Sequence, residues 1–215
     1  MTANDSILLQ QSTGLPDYDM ARWSSLPPVR GVLRGEGGWG VLLQDPDIGP
    51  DGVRPVEVRV PELESVVLIL GLAAGKNQGL VSGTGGVTPT LVSLKRGGKL
   101  LLPPAVSSIW HSNTGQERVL HVHLPVSFLT AVGEIGGMVA RPDLLPVGAL
   151  RADATLDSLL RHVVRQMTRR EPGWRMAINS AITLVAARLL EPAAPRQQRG
   201  ASSRLLRKAL LQTKL

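Results

Sequence analysis

Residues 97–135 read GGKLLLPPAVSSIWHSNTGQERVLHVHLPVSFLTAVGEI, and the change of period inside this stretch decides the fold. Gly98 opens a short apolar run, Leu100-Leu101-Leu102, which Pro103-Pro104 closes. A glycine permits the turn into a strand and a proline rigidifies the exit from it. Leu120-His121-Val122-His123-Leu124 then alternates, with two histidines on one face and three aliphatic residues on the other. After Pro125 the spacing becomes helical, predicting a helix over 126–135.

Upstream, Gly and Pro interrupt the chain every few residues, and the runs between them are rich in β-branched and apolar residues. Segments 29–34, 40–43, 56–60, 65–72, 79–82, 88–94, 100–102 and 118–124 read as strands. About eight short strands at this spacing predict an all-β sandwich or barrel. The run 65–72 does not alternate, as expected of a strand buried on both faces. Gly83-Thr84-Gly85-Gly86 lacks the lysine and the strand-to-helix setting of a phosphate-cradling loop.

Downstream, Leu156, Leu159, Leu160, Val163, Val164 and Met167 form one apolar stripe on a helix over 155–168. Asp153 or Thr155 can cap its start, and Arg161, Arg165 and Arg169 occupy its outer face. Pro172-Gly173 breaks it. A second helix over 174–190 offers Met176, Ala177, Ala181, Leu184, Val185 and Leu189 as its apolar face, widened by Ile178 and Ile182. The short connection predicts an antiparallel hairpin. EPAAPRQQRG, residues 191–200, reads as a linker. Ser202 or Ser203 caps a final basic helix with Leu205, Leu206, Ala209 and Leu210 opposite Arg204, Arg207 and Lys208.

With 215 residues, 43% of them hydrophobic, the chain suits one core-bearing domain with an appendage. No apolar run is long enough to span a bilayer, and the N-terminus lacks a signal-peptide pattern. The absence of cysteine excludes disulfides and thiolate metal sites. A cytoplasmic protein with no membrane partner is the expectation. Charge is uneven: residues 1–150 hold 11 Lys+Arg against 13 Asp+Glu, and 151–215 hold 13 against 4, so −2 and +9 make the net +7.

The Gly98…Pro104 turn resembles the second conserved motif of cupin barrels, in which a glycine, five residues and Pro-x-Gly precede a metal-binding histidine. Here Val106 replaces the second glycine and Ile109 stands where that histidine is expected. No histidine precedes His111, so no metal site and no cofactor are expected. His121 and His123 could hold a metal at i and i+2, but packing or hydrogen-bonding roles are favoured. Their aliphatic neighbours are the expected barrel lining, which places the histidines outside or under a helix. No Gly-x-Ser-x-Gly elbow occurs, and Glu62 and Glu64, two apart near a turn, read as solvated surface carboxylates. No catalytic residue is assigned and no enzyme is expected.

The order of parts resembles the sensor domain of AraC-type transcriptional regulators. Gly98, Leu100, Leu102, Pro104, Trp110, Leu120, His121, Leu124 and Pro125 fit that family's turn, Trp, strand and helix pattern, with Lys99 in place of its usual acid. The resemblance runs from about residue 33 to 210. It implies an α+β fold: a cupin-like β-barrel, an antiparallel helical hairpin and a short basic C-terminal helix. The expected division is a sensing barrel with its first helix over 1–150, a dimerising hairpin over 151–191, a linker over 192–202, and the first helix of a DNA-binding domain over 203–215.

The family's members are ligand-responsive, often dimeric, and bind promoters through two helix-turn-helix motifs. At most one helix follows the linker here. The expectation is therefore a sensing and dimerisation portion that does not bind DNA specifically, with Arg204, Arg207 and Lys208 giving weak, salt-sensitive attraction. An unidentified small-molecule effector would meet Arg34, Trp39 and Trp110 near the barrel mouth. A homodimer would form through the helices of 155–190. The alternatives are a small cupin-fold enzyme or small-molecule-binding protein without a regulatory role, and a protein that only dimerises.

Overall fold

The computed structural model describes residues 29–44, 56–60, 62–73, 77–83, 90–112, 118–142 and 145–191. The linker and final helix expected over 192–215 lie outside them, as do Arg204, Arg207 and Lys208. The strands are β1 (Val29–Arg34), β2 (Gly40–Gln44), β3 (Val56–Val60), β4 (Ser65–Gly71), β5 (Asn77–Gly83), β6 (Thr90–Leu94), β7 (Lys99–Leu102), β8 (Val106–Ser112), β9 (Val119–Pro125) and β10 (Gly148–Ala149). The helices are α1 (Val126–Ile135), α2 (Ala154–Arg169) and α3 (Trp174–Leu190).

All pairings are antiparallel and form two sheets, β1-β2-β9-β4-β7-β10 and β3-β8-β5-β6. Among the described residues no ladder joins the two, so the expected sandwich or barrel is an open pair of facing sheets. Their edges approach where a Cβ on Gly148 of β10 would lie 3.5 Å from Val92 of β6. The eight expected strands are present, and two more were not read from the sequence. One of these, β8, is the spine of the second sheet, pairing with both β3 and β5.

The larger sheet is the middle layer of three. Side chains alternate along a strand, so each strand serves two cores. Val66, Leu68 and Leu70 of β4 and Leu120, Val122 and Leu124 of β9 face the helices, where they meet Leu129, Leu156, Leu160, Ile178, Ile182 and Val185. Val67 and Ile69 of β4, Leu42 of β2, Leu100 and Leu102 of β7 and Val119 of β9 face the smaller sheet, with Val60, Val92 and Leu94. The unalternating run of β4 is thus a strand buried on both sides.

Local geometry follows from the breaks in the sequence. Between β6 and β7, Gly97 adopts φ 74°, and a Cβ on Gly98 would sit 2.9 Å from the Lys95 carbonyl. Between β7 and β8, Ala105 takes φ 56° and donates its N–H to the Leu63 carbonyl at 2.9 Å. Helix α1 stops where Gly137 turns left-handed and the Met138 N–H reaches back to the Gly133 carbonyl. Asp153 caps α2, its Oδ1 accepting from the Leu156 N–H at 3.0 Å. Helix α3 buries Ile178, Ala181, Ile182, Val185 and Ala186. Met176 (73% exposed) and Leu184 (55%) point to solvent, which corrects the face expected for this helix. A helix apolar nearly all round does not show from its sequence which stripe docks.

Candidate ligand site between the sheets

The face of β9 toward the smaller sheet carries Val119, His121 and His123. The aliphatic face was expected to line the barrel; it packs on the helices instead, and the histidines look inward. The reason is the layering: the helices require an unbroken apolar bed, and Leu120, Val122 and Leu124 supply it. His121 lies opposite Leu42 of β2 and Ile69 of β4, and His123 opposite Gly40 and Val67. Their rings stack, centroids 6.2 Å apart and planes 14° from parallel. His123 is 2% exposed, while His121 keeps partial solvent access. Removal from water disfavours the charged imidazolium. It pushes His121 down to about 4 and His123 to about 3, the latter helped by repulsion from His121. At neutral pH both rings are uncharged, and each has one N–H donor and one bare nitrogen acceptor.

Strand β8 contributes the facing wall. Val106, Ser108 and Trp110 share its parity, and Val106 and Trp110 pack on the apolar residues between the sheets. The Trp110 indole Nε1–H donates to Ser108 Oγ at 2.8 Å, and Ser108 is 2% exposed. Among the described residues the interior is mainly apolar, and its polar groups include two neutral imidazoles, the Ser108 hydroxyl, the Trp110 indole and the buried amide of Gln44, in register with Leu42. Such a lining suits an uncharged, partly apolar small molecule oriented by a few hydrogen bonds. Among the described residues no three His, Asp or Glu side chains come together as a metal site, so β9 offers two nitrogens at most.

Of the three residues expected near the barrel mouth, Trp110 borders this space, Arg34 shares the parity of Val32 at its edge, and Trp39 faces the other way. Trp39 precedes β2 in register with Val41 and Leu43, the parity that faces the helices. It is 1% exposed, and its Nε1–H donates to Asn179 Oδ1 of α3 at 3.1 Å. A Cβ on Gly35 would fall 1.9 Å from its ring. Arg34 ends β1 exposed, beside Gly40. The β9 histidines and Ser108 were not chosen from the sequence, although the alternation of LHVHL and of VSSIW carries the signal.

Polar ties fix the helices to the sheet's other face. Lys99 of β7 is 4% exposed and forms an ion pair with Asp157 Oδ1 in the first turn of α2. Arg188 of α3 reaches Asp153 Oδ2 at 2.8 Å and also pairs with Glu191. The Leu156 N–H and Arg188 together hold the Asp153 carboxyl below its usual range. This bond joins the start of α2 to the end of α3 and fixes the antiparallel hairpin.

No family model and no curated protein matches the chain. Among solved structures it is similar to the AraC-like transcriptional activator CuxR at 12% identity over 91% of this chain and 74% of that one, with a TM-score of 0.45. It is similar to the Schizosaccharomyces pombe Cnp3 cupin domain at 16% identity over 52% and 72%, with a TM-score of 0.33. Hydroxypropylphosphonic acid epoxidase from S. wedmorenis follows at 12% identity over 44% and 55%, with a TM-score of 0.26.

Proposed function

We propose that the chain is a cupin-like sensing and dimerisation unit of an AraC-type regulator, and that it performs no catalysis. The observation that carries this reading is a single sheet with two uses. Its inner face holds two uncharged imidazoles in an apolar space beside Trp110 and Ser108, and its outer face is bonded to the helical pair. A ligand that reorders the inner face changes the bed on which α2 and α3 lie. The outward Met176 and Leu184 of α3 suit contact with a second copy.

The test is a thermal-shift screen of small uncharged metabolites, followed by sedimentation with and without any hit. A true effector raises the melting temperature, and the shift is lost in His123→Leu and Trp110→Ala but kept in Arg151→Ala, an exposed residue outside the sheets. Failure of every inner-face variant to reduce the shift refutes the site. Met176→Glu with Leu184→Glu gives a monomer if α3 is the interface. A small cupin-fold enzyme is the second reading, favoured by the inward pair His121 and His123. Stoichiometric bound metal together with turnover replaces the sensor by the enzyme.

A further inference from the structure

We infer that the solvent face of α2 and the adjoining hairpin tip form a sequence-independent binding surface for the phosphate backbone of duplex DNA. This inference is separate from the sensor reading and from the basic residues near the C-terminus. Its basis is how the acids of the helical pair are used. Asp157 is turned inward onto Lys99, Asp153 and Glu191 are taken by Arg188, and Glu171 accepts from Gln166 Nε2 at 3.0 Å and lies 3.9 Å from Arg169. Every acid of this region is thus engaged, and the outward arginines outnumber them.

Arg161, Arg165 and Arg169 are exposed and follow one another at i, i+4 and i+8. At 1.5 Å per residue their backbone positions rise about 6 Å per step and about 12 Å in all along one side of the helix. Among the described residues Arg161 and Arg165 have no carboxylate at ion-pair distance; Arg165 instead donates to His162 Nδ1 at 2.7 Å. The row continues into the tip, where Arg170 and Arg175 stack on the Trp174 ring, 5.5 and 5.3 Å from its centroid. The indole holds both cations in place and leaves their charge uncompensated.

The remaining chemistry selects the partner. A helix that lies on a membrane inserts an apolar face, but Leu156, Leu160, Val163 and Met167 of α2 are already buried in the core. Single-stranded nucleic acid requires a free aromatic platform, and Trp174 is already covered by two guanidinium groups. Arginines repeating along one side of a helix fit a run of phosphates, which guanidinium groups recognise bidentately.

The test is fluorescence anisotropy of the full chain with a random duplex of about 20 base pairs, titrated between about 50 and 200 mM salt. R161Q/R165Q/R169Q reduces the slope of log K against log salt by about 2 to 3, at about 0.9 per phosphate contact. R161K/R165K/R169K keeps most of the slope. R204Q/R207Q/K208Q leaves the α2 contribution intact, which separates the two surfaces. Unchanged far-UV circular dichroism confirms that the glutamine variant is folded. The inference is overturned if wild type does not bind at the lowest salt, or if the glutamine triple keeps the wild-type slope. It is also overturned if phosphatidylserine vesicles bind wild type more tightly than the duplex does and the triple abolishes that binding.

Discussion

Acidifying the protein from about pH 7 to about pH 5 tests the inward placement of the β9 histidines. Both rings are neutral when folded, at about 4 for His121 and about 3 for His123, against 6.5 when exposed to water. A folded value below the unfolded one makes the unfolded chain the better proton binder over the interval between them. Stability is then full above about 6.5 and falls as pH drops through that window. At pH 5 the unfolded rings lie 1.5 units below their usual value, worth about 2 kcal/mol each and about 4 kcal/mol together at 1.36 kcal/mol per unit. The partial exposure of His121 makes this sum an upper bound. Urea unfolding at each pH gives the stability directly, with His121→Gln/His123→Gln as the comparison. Wild type should lose about 3–4 kcal/mol more than this variant between pH 7 and pH 5. Parallel losses in the two proteins, whatever their absolute stabilities, would show that the histidines face water and would refute the layer assignment.

Four further outcomes follow from the same geometry. Ala105→Gly removes a left-handed alanine worth about 1–2 kcal/mol and adds about 0.5–1 kcal/mol of unfolded-chain entropy, so urea unfolding should show a gain of about 0.5 kcal/mol. A loss above about 1 kcal/mol would mean that the turn is differently shaped. Asp157→Ala leaves the Lys99 ammonium buried without its partner and should cost about 2–4 kcal/mol, much of it restored by adding Lys99→Met; if the double variant is no better than the single, the ion pair is not what holds α2. Asp153→Ala should cost about 1 kcal/mol at neutral pH through the lost cap. The Asp153 contribution is present above about 3.8 and fades as pH falls through its lowered folded value, so wild type and variant should converge in strong acid. Gly35→Ala should displace the Trp39 ring and break its bond to Asn179, shifting the tryptophan emission to the red, and an unchanged spectrum would contradict the close approach.

The parts of the fold that were legible in the sequence are those with one unambiguous period. Val126–Ile135 and Trp174–Leu190 have the bounds that their sequence gave them, and the stripe of α2 packs as read, with Leu159 and Val164 at its margins. Asp153 is the cap, one of the two residues named for that role. Strand β8 is not legible locally because Pro103-Pro104 closes the apolar run before it, while the strand pairing that makes 106–112 regular is with residues far away in the chain. The orientation of β9 was misread for a related reason. Alternation shows that a strand has two faces, but both faces of β9 are covered, and only tertiary layering decides which cover is sheet and which is helix. Trp39 and Trp110 looked equivalent as aromatics beside turns, yet the parity of the strands that carry them sends one toward α3 and the other between the sheets.

The double use of the central sheet has a consequence for how such a protein can diversify. On β9 and β4 neighbouring positions face different layers: Leu120, Val122, Val66 and Leu68 the helices, His121, His123, Val67 and Ile69 the space between the sheets. Substitutions at every second position can therefore rewrite the chemistry of the interior while the helices keep their footing. On the sensing role proposed above, a lineage could exchange one small molecule for another by single-residue steps that never pass through a protein with loosened helices.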